Sequence, residues 1–266
     1  MRAAALLVVV LGGCVCSTQA PVDAGLTVDA GLDGGLSIFD PWAPVPDELR
    51  AAMALRESDP EQALARVQAL EQAARDAGDV RVVALALHRQ GDLTEERDFY
   101  LRALALHELR GDQAMVGVVT NDLGLVDEVN EVEWFTWAVK ARRAAGDLKG
   151  LRTSLSNLGG RLLVAGRPHE GLAALEEALP LAQRLNDADA ESKIELNLAS
   201  GFEALGDFDT AAVHFWRAAD VGQPVGRGPE EVCQSLLQPT ELCDDDHQPL
   251  VPRPELSGPD ASSSPR

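Results

Sequence analysis

From residue 47 to residue 221, apolar side chains recur three and four positions apart. This is the period of helices with one buried face, and no stretch alternates with period two over a strand's length. The pattern also repeats. Leu158 to Leu181 reads LGGRLLVAGRPHEGLAALEEALPL, and 40 residues later Leu198 to Ala219 reads LASGFEALGDFDTAAVHFWRAA. Both show a large-small pair, an apolar residue four on, a turn glycine (Gly166, Gly206), then small and apolar residues that end in Ala178 and Ala218. A third copy runs from Val83-Ala84 through Gly91-Asp92 to Tyr100 and Ala103, and a fourth from Leu123-Gly124 to Ala138. The leading residues Val83, Leu123, Leu158 and Leu198 are spaced 40, 35 and 40, and the closing alanines 35, 40 and 40. Asp59-Pro60, Ala63 and Gly78-Asp79 imply a fifth, N-terminal copy.

Helix ends are legible in the same stretch. Gly78-Asp79, Gly111-Asp112, Gly146-Asp147 and Asn186-Asp187 offer a Gly or Asn for a left-handed C-terminal residue. Pro60 and Pro168 suit a first helical turn, where a missing N–H costs nothing. Asp92 with Glu95 reads as a capping pair for the next helix. Two departures stand out. Leu123 and Ala138 are 15 residues apart where the other copies have 20, with Glu131 and Glu133 in the region of the lost turn. Trp134, Phe135 and Trp137 follow at once, and two readings stand: they plug the gap left by the shortened hairpin, or they form an exposed docking patch. Pro180 falls inside a helix and predicts a kink.

These in-phase copies resemble the tetratricopeptide repeat (TPR) family in its long-repeat form, over about two thirds of the chain. The resemblance implies an all-α, right-handed superhelical solenoid of about five hairpins, at 47–79, 80–112, 113–147, 148–187 and 188–221. In that family the first helices of successive repeats line a concave groove that holds an extended peptide or a partner helix. Long-repeat members grip peptide backbone with an asparagine just before the large-small pair, since a primary amide offers both donors and an acceptor. Asn157 and Asn197 occupy that position, and Asn121 lies one residue earlier than it should. Arg81 and His88 share a helical face, with Arg89 adjacent and Lys193 near Asn197, so an acidic ligand segment is the expected kind. The carboxylate-clamp pattern of chaperone adaptors is not reproduced.

Charge and composition narrow the class further. With 43 acidic against 23 basic residues and a net charge of −20, the chain lacks the basic footprint that nucleic acid requires. No apolar run reaches the roughly 20 residues that span a bilayer. Residues 1–13, MRAAALLVVVLGG, have the charged start and short apolar core of an export signal. Leu11-Gly12-Gly13-Cys14 resembles a bacterial lipobox, which makes Cys14 the acylated first residue of an envelope lipoprotein. A cut after Thr18-Gln19-Ala20 would instead release a soluble secreted or periplasmic protein. Residues 14–46 contain four Asp and no basic residue and read as a solvated tether. Twelve of the 15 prolines lie outside 47–221, several of them in the Pro/Ser-rich segment 222–266, which reads as a cap and a disordered tail.

Export places the cysteines where disulfides persist. Cys233 and Cys243 are then the natural pair, with two unpaired thiols as the alternative. Catalytic signatures are absent: the five histidines form no H-E-x-x-H, and there is no nucleophile elbow, P-loop or dinucleotide fingerprint. No cofactor is expected. Cys243-Asp244-Asp245-Asp246-His247 contains metal-ligand types, but consecutive side chains rarely converge on one ion, so no metal is expected either. The sequence thus points to a lipid-anchored peptide- or protein-binding scaffold. A pilot or assembly lipoprotein for an outer-membrane complex is the alternative, followed by a metal-dependent periplasmic enzyme.

Overall fold

The computed structural model describes residues 45–226, 228–234, 240, 242–244, 247–251 and 253. The acylation reading of Cys14, the reading of residues 1–13 as an export signal and that of residues 14–44 as a tether fall outside these residues, as do Asp245, Asp246 and residues 254–266 of the tail. The described chain is all-helical and has no strand. It comprises α1 (Asp47–Met53), α2 (Pro60–Ala77), α3 (Val80–Thr94), α4 (Arg97–Leu109), α5 (Gln113–Val126) and α6 (Glu131–Ala145). These are followed by α7 (Leu148–Val164), α8 (Pro168–Arg184), α9 (Ala188–Ala204), α10 (Phe208–Gly222) and the short α11 (Pro229–Gln234).

Helices pack in adjacent pairs, most extensively α5 with α6, α7 with α8, and α9 with α10. The sequence dictates this through its punctuation. Asp59, Asp79, Asp112, Asp147, Asp187 and Asp207 each cap a helix by accepting the backbone N–H three residues on, at 2.9–3.2 Å. Five of these aspartates follow a residue at positive φ, such as Gly146 at 69° or Asn186 at 51°. That residue turns the chain back while Asp147 N–H reaches Arg142 O at 3.0 Å, a C-terminal motif that closes one helix as the aspartate opens the next. Pro60 and Pro168 open α2 and α8, and α8 continues through Pro180 to Arg184.

The buried side chains form a series of clusters along the array. Leu49, Val67 and Leu85 fill the first, and Leu87, Tyr100, Leu104 and Leu123 the second. Leu155, Leu175, Ile194 and Leu198 fill the third, and Phe215, Val232 and Leu242 the last. Burying each Leu or Phe contributes about 1.5–3 kcal/mol, so no single hairpin holds its face without neighbours. At the C-terminal end a disulfide joins Cys233 to Cys243, whose Cα atoms are 5.8 Å apart. It pins Val232 and Leu242 over α10, and Trp216 Nε1 donates to Val251 O at 3.2 Å alongside.

Three local expectations change. Val83-Ala84 is not the large-small pair of its hairpin. It lies in the first turn of α3, and the equivalent of Leu123-Gly124 is Gln90-Gly91, seven residues later. A Cβ on Gly91 would meet the Tyr100 ring at 2.8 Å, just as one on Gly124 would meet the Phe135 ring at 2.8 Å. Asp92 caps nothing, because α3 runs on to Thr94 and α4 begins after Glu96 without a side-chain cap. In this register the α3–α4 hairpin is short as well, with Gln90 and Ala103 13 residues apart, and the α5–α6 hairpin loses residues from both facing helix ends. Only three helical residues follow Leu123, against six after the equivalent Leu158, and α6 opens directly at Glu131.

Candidate functional site

The first helices of four successive hairpins, α3, α5, α7 and α9, carry a polar residue at the same place, their tenth position: Arg89, Asp122, Asn157 and Asn197. Equal position on capped helices of similar entry puts these side chains in one row. Asp122 and Asn157 are each bonded to the residue that precedes the row on the previous first helix. His88 Nε2 donates to Asp122 Oδ2 at 2.8 Å, which ties α3 to α5. Asn121 Oδ1 accepts from Asn157 Nδ2 at 3.2 Å and from Ser154 Oγ at 3.1 Å, which ties α5 to α7. Between α7 and α9 the row is close but open: a Cβ on Gly160 would lie 3.7 Å from Asn197 Nδ2. Helices α5 and α7, and α7 and α9, touch directly.

The residues expected to grip a ligand divide by burial. Asn157 and Asn197 are half-exposed and one hairpin apart. Asn121, by contrast, is 5% exposed and its carbonyl oxygen already accepts two donors. It is a brace behind Asn157 and not a ligand contact. His88 is 1% exposed with its Nε2 bonded to Asp122, so it is not a peptide contact either. Arg81 and Arg89 are half-buried on α3, and Lys193 is exposed on α9. Arg89 Nη1 pairs with Asp92 Oδ2 at 2.5 Å, and Lys193 Nζ with Asp189 Oδ2 at 2.5 Å. Both cations are therefore matched by carboxylates of their own helices. These pairings lower the net charge that Arg89 and Lys193 offer to an acidic ligand.

The aromatic trio is also corrected. Phe135 is fully buried against Gly124, and Trp134 is 7% exposed with its Nε1 donating to Asp127 Oδ2 at 2.8 Å. Both fill the shortened hairpin, so neither docks anything. Trp137 stacks on Trp134 with ring centres 5.7 Å apart and is half-exposed. With Val132, Glu133, Thr136, Lys140 and Arg167 it lines a shallow surface depression of about 490 Å³.

Electrostatics sharpen the picture around α3 and α5. Burial, then the charges of Asp92 and Asp122, push the Tyr100 phenol well above its ordinary pKa. Tyr100 Oη donates to Asp92 Oδ1 at 3.3 Å. Asp127 is held below the usual carboxylate range. Burial acts to raise it, but hydrogen bonds from Trp134 and Asn130, the nearby Arg97, and the Val129 N–H outweigh that. The sequence reading missed Asp122, whose signal was its helix position, shared with Asn157. It also missed the buried pair of Glu195 with His214 Nδ1 at 2.6 Å, where nothing local marks the partner 19 residues away. No known protein family matches this chain, and no curated protein is significantly similar to it.

Proposed function

We propose that this chain is a TPR-like scaffold of about five hairpins in a right-handed superhelix, held at a bacterial envelope membrane by an acylated Cys14, and that it binds an extended peptide segment of a partner protein. One observation carries the reading: Asn157 and Asn197 stand half-exposed at the same position of neighbouring first helices. Packed helices lie about 8–10 Å apart, and an extended peptide rises about 3.3 Å per residue. Two such amides therefore match backbone groups roughly three residues apart on one strand-like ligand. Contact between successive first helices, with no comparable contact between second helices among the described residues, favours the first-helix side as the inner, concave one. Recognition through backbone rather than charge follows from the pairing of Arg89 and Lys193 on their own helices.

The test is a photocrosslinking amino acid placed at Asn197 or, as a control, at the exposed Glu176 of the second helix α8. A protein segment captured from Asn197 and not from Glu176 supports a groove on the first helices. Equal capture from both, or capture only at Glu176, counts against it. For the anchor, Cys14→Ala is expected to leave unprocessed precursor in the membrane fraction. Normal processing and release of that variant would replace the lipobox reading with cleavage after Ala20.

A further inference from the structure

At the α3–α5 end of the row, three side chains converge in a way that a helix brace does not require. His88 and Asp92 are four residues apart on α3 and so share a face, and Asp122 reaches them from α5. One ligand atom from each lies within 4.8 Å of the others. His88 Nε2 is 2.8 Å from Asp122 Oδ2 and 3.6 Å from Asp92 Oδ1. Bonds of about 2.0–2.2 Å in a tetrahedral site place ligand atoms about 3.3 Å apart, so the two measured separations bracket that spacing. We propose that His88, Asp92 and Asp122 bind a divalent transition-metal ion of the zinc class, with water in the fourth position.

The surroundings fit a built site. Asp92 is oriented from both sides, since Tyr100 donates to Oδ1 and Arg89 pairs with Oδ2. Such outer contacts fix a metal-ligating carboxylate. Asp122 has no ion-pair partner besides His88 among the described residues, so two carboxylates face one imidazole, with Arg89 paired to Asp92 and Arg142 acting on Asp122 only through its field. An imidazole nitrogen with two carboxylate oxygens suits zinc, cobalt or nickel, whereas calcium and magnesium take oxygen donors only. His88 is fully buried while Asp92 and Asp122 are 14% and 26% exposed, so the ion is held from beneath and entered from the rim. For Nε2 to hold the ion, the single proton of the neutral ring must sit on Nδ1, so it moves there from Nε2 with no net proton released. Nδ1 is buried with no hydrogen-bond partner among the described residues. Lacking that outer acceptor, the site is about 10–100-fold weaker than a fully supported one.

The inference does not depend on peptide binding. The test is calorimetric titration of zinc into the chelator-stripped full chain, with cobalt absorption as a second readout. Variants are His88→Gln, Asp122→Asn and His247→Ala. Asn at 122 keeps an oxygen for the His88 N–H, so that variant is expected to fold, which circular dichroism checks. One zinc per chain is expected, weakened at least tenfold in His88→Gln and in Asp122→Asn, unchanged in His247→Ala, and not displaced by magnesium. No saturable binding below about 100 µM, roughly 5.5 kcal/mol of affinity, would overturn the proposal. So would equal affinity in Asp122→Asn, or loss confined to His247→Ala.

Discussion

Individual buried polar residues decide how this chain holds its irregular hairpin. Asp127, 8% exposed, gathers the Trp134 indole at 2.8 Å, the Asn130 amide at 3.1 Å and Arg97 at 2.8 Å. A carboxylate with charge-assisted bonds of this kind contributes about 1.5–3 kcal/mol per bond, so Asp127→Asn should destabilise clearly at neutral pH. Its folded pKa is lowered, so the contribution is fully present above the unfolded value of about 3.9 and is lost as pH falls through the lower folded one. Melting curves of the two proteins between pH 7 and pH 2.5 check this. The gap between them should hold to about pH 4.5 and then close. A gap independent of pH would show that the charge is not what matters.

At the scale of helices, close approach sets the packing of α7 on α8. A Cβ on Gly159 would meet Leu175 Cγ at 2.5 Å and the backbone oxygen of Gly171 at 3.0 Å, and backbone cannot step aside. Gly159→Ala should therefore cost about 1–3 kcal/mol by overpacking, despite the better helix propensity of alanine. Chemical denaturation measures it, and an unchanged or raised midpoint would contradict the packing described. These elements were largely legible in the sequence because their signals are local: a Gly or Asn, then Asp, closes one helix and caps the next within two residues. The register of α3 was not legible. There a polar residue, Gln90, fills the large position and is buried only because its amide reaches Glu71 Oε2 at 2.5 Å, a partner 19 residues away. The polar row was half-legible for the same reason. Asn157 and Asn197 announce themselves by phase, but nothing near His88 or Asn121 shows that partners 34 and 33 residues on take them into the interior.

Across the whole molecule, the array needs an end. The loop closed by Cys233 and Cys243 covers Phe215 and Ala218 of the last hairpin with Val232 and Leu242. A ten-residue separation gives a chain-entropy contribution of about 2–3 kcal/mol. Cys233→Ser/Cys243→Ser should thus lower the melting temperature and speed amide exchange first in α10, with α3 to α6 little changed. Uniform exchange along the array would mean that the cap protects nothing in particular.

The central claim is that Asn157 and Asn197 act as a pair on one extended ligand. Its most direct measurement is titration of the segment captured at Asn197 against the wild-type chain and Asn157→Ala/Asn197→Ala. Asn121 keeps Ser154 as a donor in that variant, so no buried acceptor is stranded and helicity should persist. Each amide is worth about 0.5–1.5 kcal/mol, so the account predicts binding weakened about tenfold or more, with melting within a few degrees of wild type. Undiminished affinity in the folded double variant would contradict it and move the binding surface off the first helices.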